Sequence, residues 1–358
     1  MSAVAEAYAL PVAQSGSAAR APRRFVTGFL AGFLGVLAAV LALNAVIDPF
    51  ALAGTGIVPP AVEQDRSVKL DLLQRLKRSP EILIMGSSRS RQAEPSLLRR
   101  LTGHTAFNAG VTGGTSADEY VFARFAADRF PLQKRRYIWF TDLGIAGGGV
   151  LPQLAQDPRA RRYLRGGPSF DLRDVETYVG TEATRASWRV LTKCVFGPCR
   201  SHILFRRDGS LAARSLRYLP ERARSLRASV SKLVASVDRN PSTLAEARAD
   251  IATPGRFFYF DRALRFMNDR GEVPVIVLNP IYPSVFAAER KEGFPARRAT
   301  FEKLAELHKR YRFVVVDCED IRRWGGTASD WSNATHVDRA NMRRMLRYIV
   351  AHANGALR

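Results

Sequence analysis

The longest apolar stretch of the chain runs from Phe25 to Ile47, FVTGFLAGFLGVLAAVLALNAVI, and holds no charged residue. About 20 apolar residues span a bilayer, and buried helices of soluble proteins seldom run so far without a charge. The pattern predicts one transmembrane helix over residues 25–47. Arg20, Arg23 and Arg24 stand directly before it and Asp48-Pro49 directly after. By the positive-inside rule, residues 1–24 form a cytoplasmic tail. Everything beyond Asp48 is then expected outside the inner (cytoplasmic) membrane, as a periplasmic or other extracytoplasmic domain. The rival reading is a cleaved signal peptide, for which Ala51-Leu52-Ala53 supplies an A-x-A-like site. Signal cores run only about 7–15 residues, so the length favours a retained anchor.

After a break at Pro59-Pro60, the pattern changes to short apolar runs alternating with helical periodicity. Residues 48–80 read as linker and helix, with Val68, Leu70, Leu72, Leu73 and Leu76 at helical spacing over Glu63–Lys77. Buried-strand runs fall at Glu81–Met85 (EILIM), Ala106-Phe107, Tyr137–Phe140 (YIWF), Val273–Leu278 (VPVIVL) and Phe313–Val316. Helical stretches cover Glu94–Leu101, Ser116–Asp128 with Ser116 as N-cap, Arg256–Asp269, Arg297–Arg310 and Arg339–Ala351. Strands alternating with helices predict an α/β domain over 81–358, a mainly parallel sheet covered on both faces. An Arg-rich stretch at about 147–253 breaks the rhythm and reads as an insertion or a lid.

Charge narrows the partners. The chain has 55 basic and 33 acidic side chains, a formal net charge of +22, and attracts polyanions. The arginines are spread along its length, without a helix-turn-helix, zinc-finger or RNA-binding signature. Together with the predicted topology this argues against nucleic acid and for anionic lipid or acidic glycan. Cys194 and Cys199 are near enough to pair across a Gly-Pro turn, whereas Cys318 follows an apolar run and reads as a buried small hydrophobe. The histidines do not gather near these cysteines, so neither a metal nor another cofactor is expected.

Three loops carry groups capable of chemistry. Gly86-Ser87-Ser88-Arg89 follows the first strand, and Asn108-Ala109-Gly110-Val111-Thr112-Gly113-Gly114-Thr115 lets backbone N–H groups approach a ligand. Asp330-Trp331-Ser332-Asn333-Ala334-Thr335-His336 precedes the last helix. An early serine, a glycine turn and a late histidine can supply nucleophile, oxyanion donors and general base. Arg89 and Arg91 beside the serine, with Asn108, are candidate substrate-binding residues. The segment Gly86–Ser90 also imitates a G-x-S-x-G elbow, but that elbow normally follows several strands, so an α/β-hydrolase is excluded.

The segment ILIMGSSRS resembles the first block of the SGNH (GDSL-like) esterase and acyltransferase superfamily, with Ser87 in place of the family's aspartate. FNAGVTGGTS is similar to the second block, and Asn333-Ala334-Thr335-His336 to the C-terminal Asp-x-x-His. The resemblance implies a three-layer α/β/α, flavodoxin-like fold, with Ser88 as nucleophile, His336 as base and Gly113 as an oxyanion donor. It departs in two places. Asn333 stands where the orienting aspartate belongs, leaving Asp330 or Asp338 as alternative sources of charge. The third block's asparagine is missing after YIWF, with Asn279 as a stand-in from a neighbouring loop. The Asn-x-x-x-Asp-Pro of Asn44 to Pro49 is similar to membrane-anchored relatives that act on cell-surface polymers. The implied activity is a serine esterase or O-acetyltransferase acting on an acetylated or acidic polysaccharide. Its implied partners are a membrane acyltransferase or a polysaccharide-export complex. The alternative is a catalytically degenerate subunit that serves such an assembly as a scaffold.

Overall fold

Alternate residues of a strand point to opposite faces of its sheet, and five apolar runs of this chain are used in that way. The computed structural model describes residues 20–49, 65–142, 149–155, 157–164, 180–196, 204–213, 215, 225–253 and 256–358. Strands β1 (Ile82–Met85), β2 (Ala106–Asn108), β3 (Arg136–Thr141), β4 (Val275–Leu278) and β5 (Val314–Asp317) form one parallel sheet in the order β2-β1-β3-β4-β5. One row across it pairs Met85 with Trp139, Trp139 with Ile276 and Ile276 with Val315. All five predicted strands are present. β4 starts at Val275 rather than Val273, because Pro274 has no N–H to give to the ladder.

Each face of the sheet has its own apolar cluster. Leu83, Met85, Tyr137, Trp139, Ile276 and Leu278 pack with helices α2 (Asp65–Gln74), α4 (Ser116–Arg129), α8 (Phe258–Asp269) and α10 (Pro295–His308). Ile82, Ile84, Ile138, Phe140, Val275 and Val277 pack with α3 (Pro95–Thr102) and α11 (Arg339–His352). Cys318 is wholly buried in this second cluster, as its sequence context predicts. A fully buried aliphatic or aromatic side chain contributes roughly 1.5–3 kcal/mol, so these two clusters hold the domain together. Helix α9 (Pro283–Lys291) was not evident from the sequence. The N-cap of α4 is Thr115, one residue before the predicted Ser116, and Asp118 Oδ2 accepts from the Thr115 N–H at 2.9 Å.

Helix α1 (Arg20–Ile47) is long and apolar enough from Arg24 onward to cross a membrane, with a mean hydropathy of 2.4 and Phe25, Phe29 and Phe33 exposed. Asp48, in the left-handed region at φ 46°, and Pro49 end it. One side of its last turn, at Asn44 and Ile47, is buried. Asn44 donates to Thr184 Oγ1 at 3.2 Å and accepts from Ser187 Oγ at 2.7 Å, both on α5 (Thr181–Phe196) of the insertion. The insertion also contributes α6 (Leu226–Arg239), α7 (Leu244–Ala252) and a turn bridged at Phe205 and Leu211. Residues 1–19, Ala51-Leu52-Ala53, Pro59-Pro60, Cys199 and the Cys194 side chain lie outside the described residues.

Candidate functional site

The order β2-β1-β3 sends the chain in opposite directions after β1 and after β3. Ligands of such sheets bind beyond the carboxyl ends of the strands at that divergence. The first predicted loop lies there. Gly86 leaves β1 at φ 136°, and a Cβ at this position would stand 2.6 Å from the Phe140 carbonyl, so only glycine fits. Ser87 then caps a single 3-10 turn, Ser88–Ser90, pinned by a hydrogen bond from Ser90 Oγ to the Ser87 carbonyl at 2.8 Å. Ser88 is half-buried, and its Oγ lies 2.8 Å from His336 Nε2.

The histidine arrives from the other end of the chain. After β5 the backbone returns across the sheet to α11, through a turn closed by the Trp331–Val337 bridge and by Ser332 N–H donating to the His336 carbonyl. Asn333 organises this turn. Its Oδ1 accepts the backbone N–H of Thr335 at 2.9 Å and of His336 at 3.0 Å, the Thr335 hydroxyl at 3.0 Å, and His336 Nδ1 at 3.0 Å. Two backbone donors on one side-chain atom identify it as the oxygen rather than the nitrogen. His336 Nδ1 therefore carries the proton, and the Nε2 lone pair faces Ser88. Asp330 and Asp338 are not the orienting group: Asp330 is paired with Arg344 at 2.5 Å, and Asp338 caps α11 through the Ala340 and Asn341 N–H groups.

The glycine loop is held by α2. Asp65 Oδ2 accepts from Thr112 N at 2.5 Å and Thr112 Oγ1 at 2.8 Å. Arg66 reaches the Gly113 carbonyl at 3.3 Å and Asp118 at 2.6 Å. Lys69 Nζ donates to the Gly110 carbonyl and to Asn108 Oδ1 at 3.2 Å. Gly114, rather than Gly113, abuts the serine loop, since a Cβ there would meet the Gly86 carbonyl at 2.7 Å and Ser87 Cα at 3.1 Å. Gly113 is exposed at φ 58°. Burial raises the Asp65 carboxyl above its ordinary value, and raises that of Glu119, one turn into α4, well above its own.

Burial also lowers the Lys69 ammonium to about 7. Between pH 7 and the ordinary lysine value near 10.5 the unfolded chain then binds a proton that the folded chain does not, so stability rises with pH in that window. Lys69→Met is expected to lower that slope by up to about 1.4 kcal/mol per pH unit. Denaturant melts of both proteins at several pH values check this, and equal slopes would refute it.

The remaining expected site residues are placed differently from their prediction. Asn108 is fully buried and braces the two loops, its Nδ2 donating to the carbonyls of Ser90 and Ala93 at 3.0 and 2.8 Å. Arg91 is buried against Thr112 at 2.6 Å and Asp65 at 3.8 Å. Asn108 is structural, its amide satisfying the interior rather than facing a substrate, whereas Arg91 is held inside by the glycine loop and also lines a concavity beside α3. Arg89 stays partly exposed but is paired with Asp142 at 2.6 Å. Asn279 Nδ2 donates to the same Asp142 oxygen at 2.9 Å, so it secures that carboxylate instead of facing Ser88. Asp142, Asp65, Arg66 and Lys69 were missed by sequence reasoning. The only signal of Asp142 was a polar pair, Thr141-Asp142, at the end of an apolar run. Neither a protein-family model nor the sequence of a curated protein matches this chain.

Proposed function

We propose that this chain is a membrane-anchored SGNH-type enzyme, an esterase or O-acyltransferase of an extracytoplasmic polysaccharide, with a three-layer α/β/α domain. The observation that carries the proposal is the chain of contacts from Ser88 Oγ to His336 Nε2 and from His336 Nδ1 to Asn333 Oδ1. In this reading His336 Nε2 takes the Ser88 proton as Oγ attacks the acyl carbonyl carbon. In this reading the Ser88 N–H is one oxyanion donor, and the resemblance assigns the second to Gly113, although Gly114 is the glycine that abuts the serine turn. His336 then returns the proton to the departing alcohol oxygen, leaving an acyl-serine. The acyl group passes next to water or to a sugar hydroxyl, His336 taking that nucleophile's proton and returning it to Ser88 Oγ as the acyl–serine bond breaks. A membrane acyltransferase or an export complex is the partner this reading implies. A fluorophosphonate probe, which traps activated serines, is expected to label Ser88 in the full chain. Absence of both labelling and acetyl-ester cleavage would leave the non-catalytic subunit, a reading favoured by the amide at Asn333.

The proposed topology puts the N-terminus in the cytoplasm, α1 across the inner membrane and the domain in the periplasm. A phosphatase reporter fused after Arg358 is expected to be active only if exported. A cytoplasmic signal at that terminus would overturn the orientation.

A further inference from the structure

A second concavity lies one step away from the Ser88–His336 pair. It encloses about 280 Å³, and its walls include Gln92, Glu94, Arg100, Arg206, Arg339 and Arg343. Gln92 is four residues after Ser88 and Arg339 three after His336. At no more than ~3.6 Å per residue, Gln92 stands within roughly 15 Å of the Ser88 backbone and Arg339 within roughly 11 Å of that of His336. Three separate parts of the sequence converge here: the start of α3, the start of α11, and the turn of the insertion that carries Arg206.

The turn is fixed rather than draped. The Asp208 carbonyl accepts the N–H of Asn108 at 2.8 Å, and a Cβ on Gly209 would lie 2.2 Å from the Asn108 carbonyl. Thus the insertion extends the β2 edge and delivers Arg206 to the pocket. Glu94 is shared by Arg339 at 3.0 Å and Arg343 at 3.1 Å. Arg100 and Arg206 are exposed and have no carboxylate partner among the described residues. With the buried Arg91, five arginines thus line the pocket beside one glutamate. Gln92 adds a different kind of group: only 6% of it is exposed, and its Oε1 is buried without a hydrogen-bond partner among the described residues.

From this combination we infer that the pocket is a subsite for an acidic sugar residue, which makes the substrate of the proposed enzyme a carboxylated glycan. The guanidinium fork matches the planar carboxylate of an acidic sugar. The volume, near the ~300 Å³ lower end of small-molecule sites, suits one such residue. A polymer bound here by one unit reaches the Ser88 crevice with a neighbouring unit. The inference names the substrate of the site proposed above and rests on that reading for its catalytic meaning, while the binding stands by itself.

The test uses the full chain in phosphatidylcholine nanodiscs, titrated with a short oligogalacturonate, its carboxyl-reduced counterpart and inorganic phosphate. The acidic oligosaccharide is expected to bind at least ten-fold more tightly than either of the others. Arg100→Gln and Arg206→Gln are each expected to weaken it by about ten-fold, with Arg206→Lys recovering part of the loss and thermal melts unchanged. Cleavage of a small neutral acetyl ester should stay at the wild-type rate in these variants. Equal affinity for phosphate or for the reduced oligosaccharide would overturn the inference. So would affinity that is indifferent to both arginines, or lost when phosphatidylglycerol replaces phosphatidylcholine, which would assign them to the membrane surface. Arginine-dependent binding without any ester cleavage would sink the catalytic reading and leave the subsite standing.

Discussion

Replacing Ser88 by alanine is expected to lower acetyl-ester cleavage by about four to six orders of magnitude, with the melting temperature within a few degrees of wild type. The expectation follows from the separation of two roles. Gly86, Ser87 and Ser90 build the turn through the close approach to Phe140, the cap and the Ser90–Ser87 hydrogen bond. Ser88 adds to the fold only a half-buried hydroxyl facing a histidine. Such a side chain outside the core is worth about 0.5 kcal/mol or less to stability. A covalent route, by contrast, needs its oxygen in every turnover. Full activity in Ser88→Ala would show that cleavage proceeds without an acyl-serine, and it would remove the mechanism proposed for this chain.

Asn333→Asp is expected to raise the rate, by about ten-fold or more. Removing the corresponding carboxylate from a serine protease costs about four orders of magnitude, in part because the imidazole is then held in the wrong tautomer. Here that part of the defect is absent: the N–H groups of Thr335 and His336 fix the amide oxygen toward Nδ1. What the amide lacks is charge. A carboxylate in its place keeps the same donors and adds attraction for the imidazolium that forms as Ser88 loses its proton. The same attraction favours the protonated ring at rest, so the acid limb of the kcat/KM profile should move to higher pH. An unchanged pH profile together with an unchanged rate would mean that Asn333 only shapes the turn.

The sheet was legible because its strands are short apolar runs bounded by glycine, proline and asparagine, a pattern that few helices imitate. The pairing of Ser88 with His336 was different. Nothing local in either loop foretells a partner so far along the chain, and only the order of the three motifs suggested it. The misplacements share one physical cause. In a chain with a net charge of +22, Asp65, Arg66 and Lys69 read as ordinary surface charges and Arg91 as a substrate-binding one. Yet α2 is buried between the glycine loop and α4, and these four groups are held there by the loop, by Asn108 and by Asp118. Sequence spacing locates a charge on a helix, but it does not tell which charges find partners inside. Asn108 was misassigned for the same reason, since an asparagine in a glycine-rich loop looks free until the carbonyls of the neighbouring turn surround it.

The clasp between Asn44 and α5 changes what a membrane anchor does mechanically. A globule strung on a slack tether sweeps out a hemisphere and presents its crevice in every direction. Seating the last turn of α1 against Thr184 and Ser187 ties the anchor to the insertion by more than the chain itself, so on the proposed topology α5 is held at the membrane. Severing the chain after Pro49 would therefore do more than free a soluble piece. Ser187, wholly buried beside Asn44, would lose its acceptor, and the fragment would lose its bearing on the membrane and a built-in contact of its fold together.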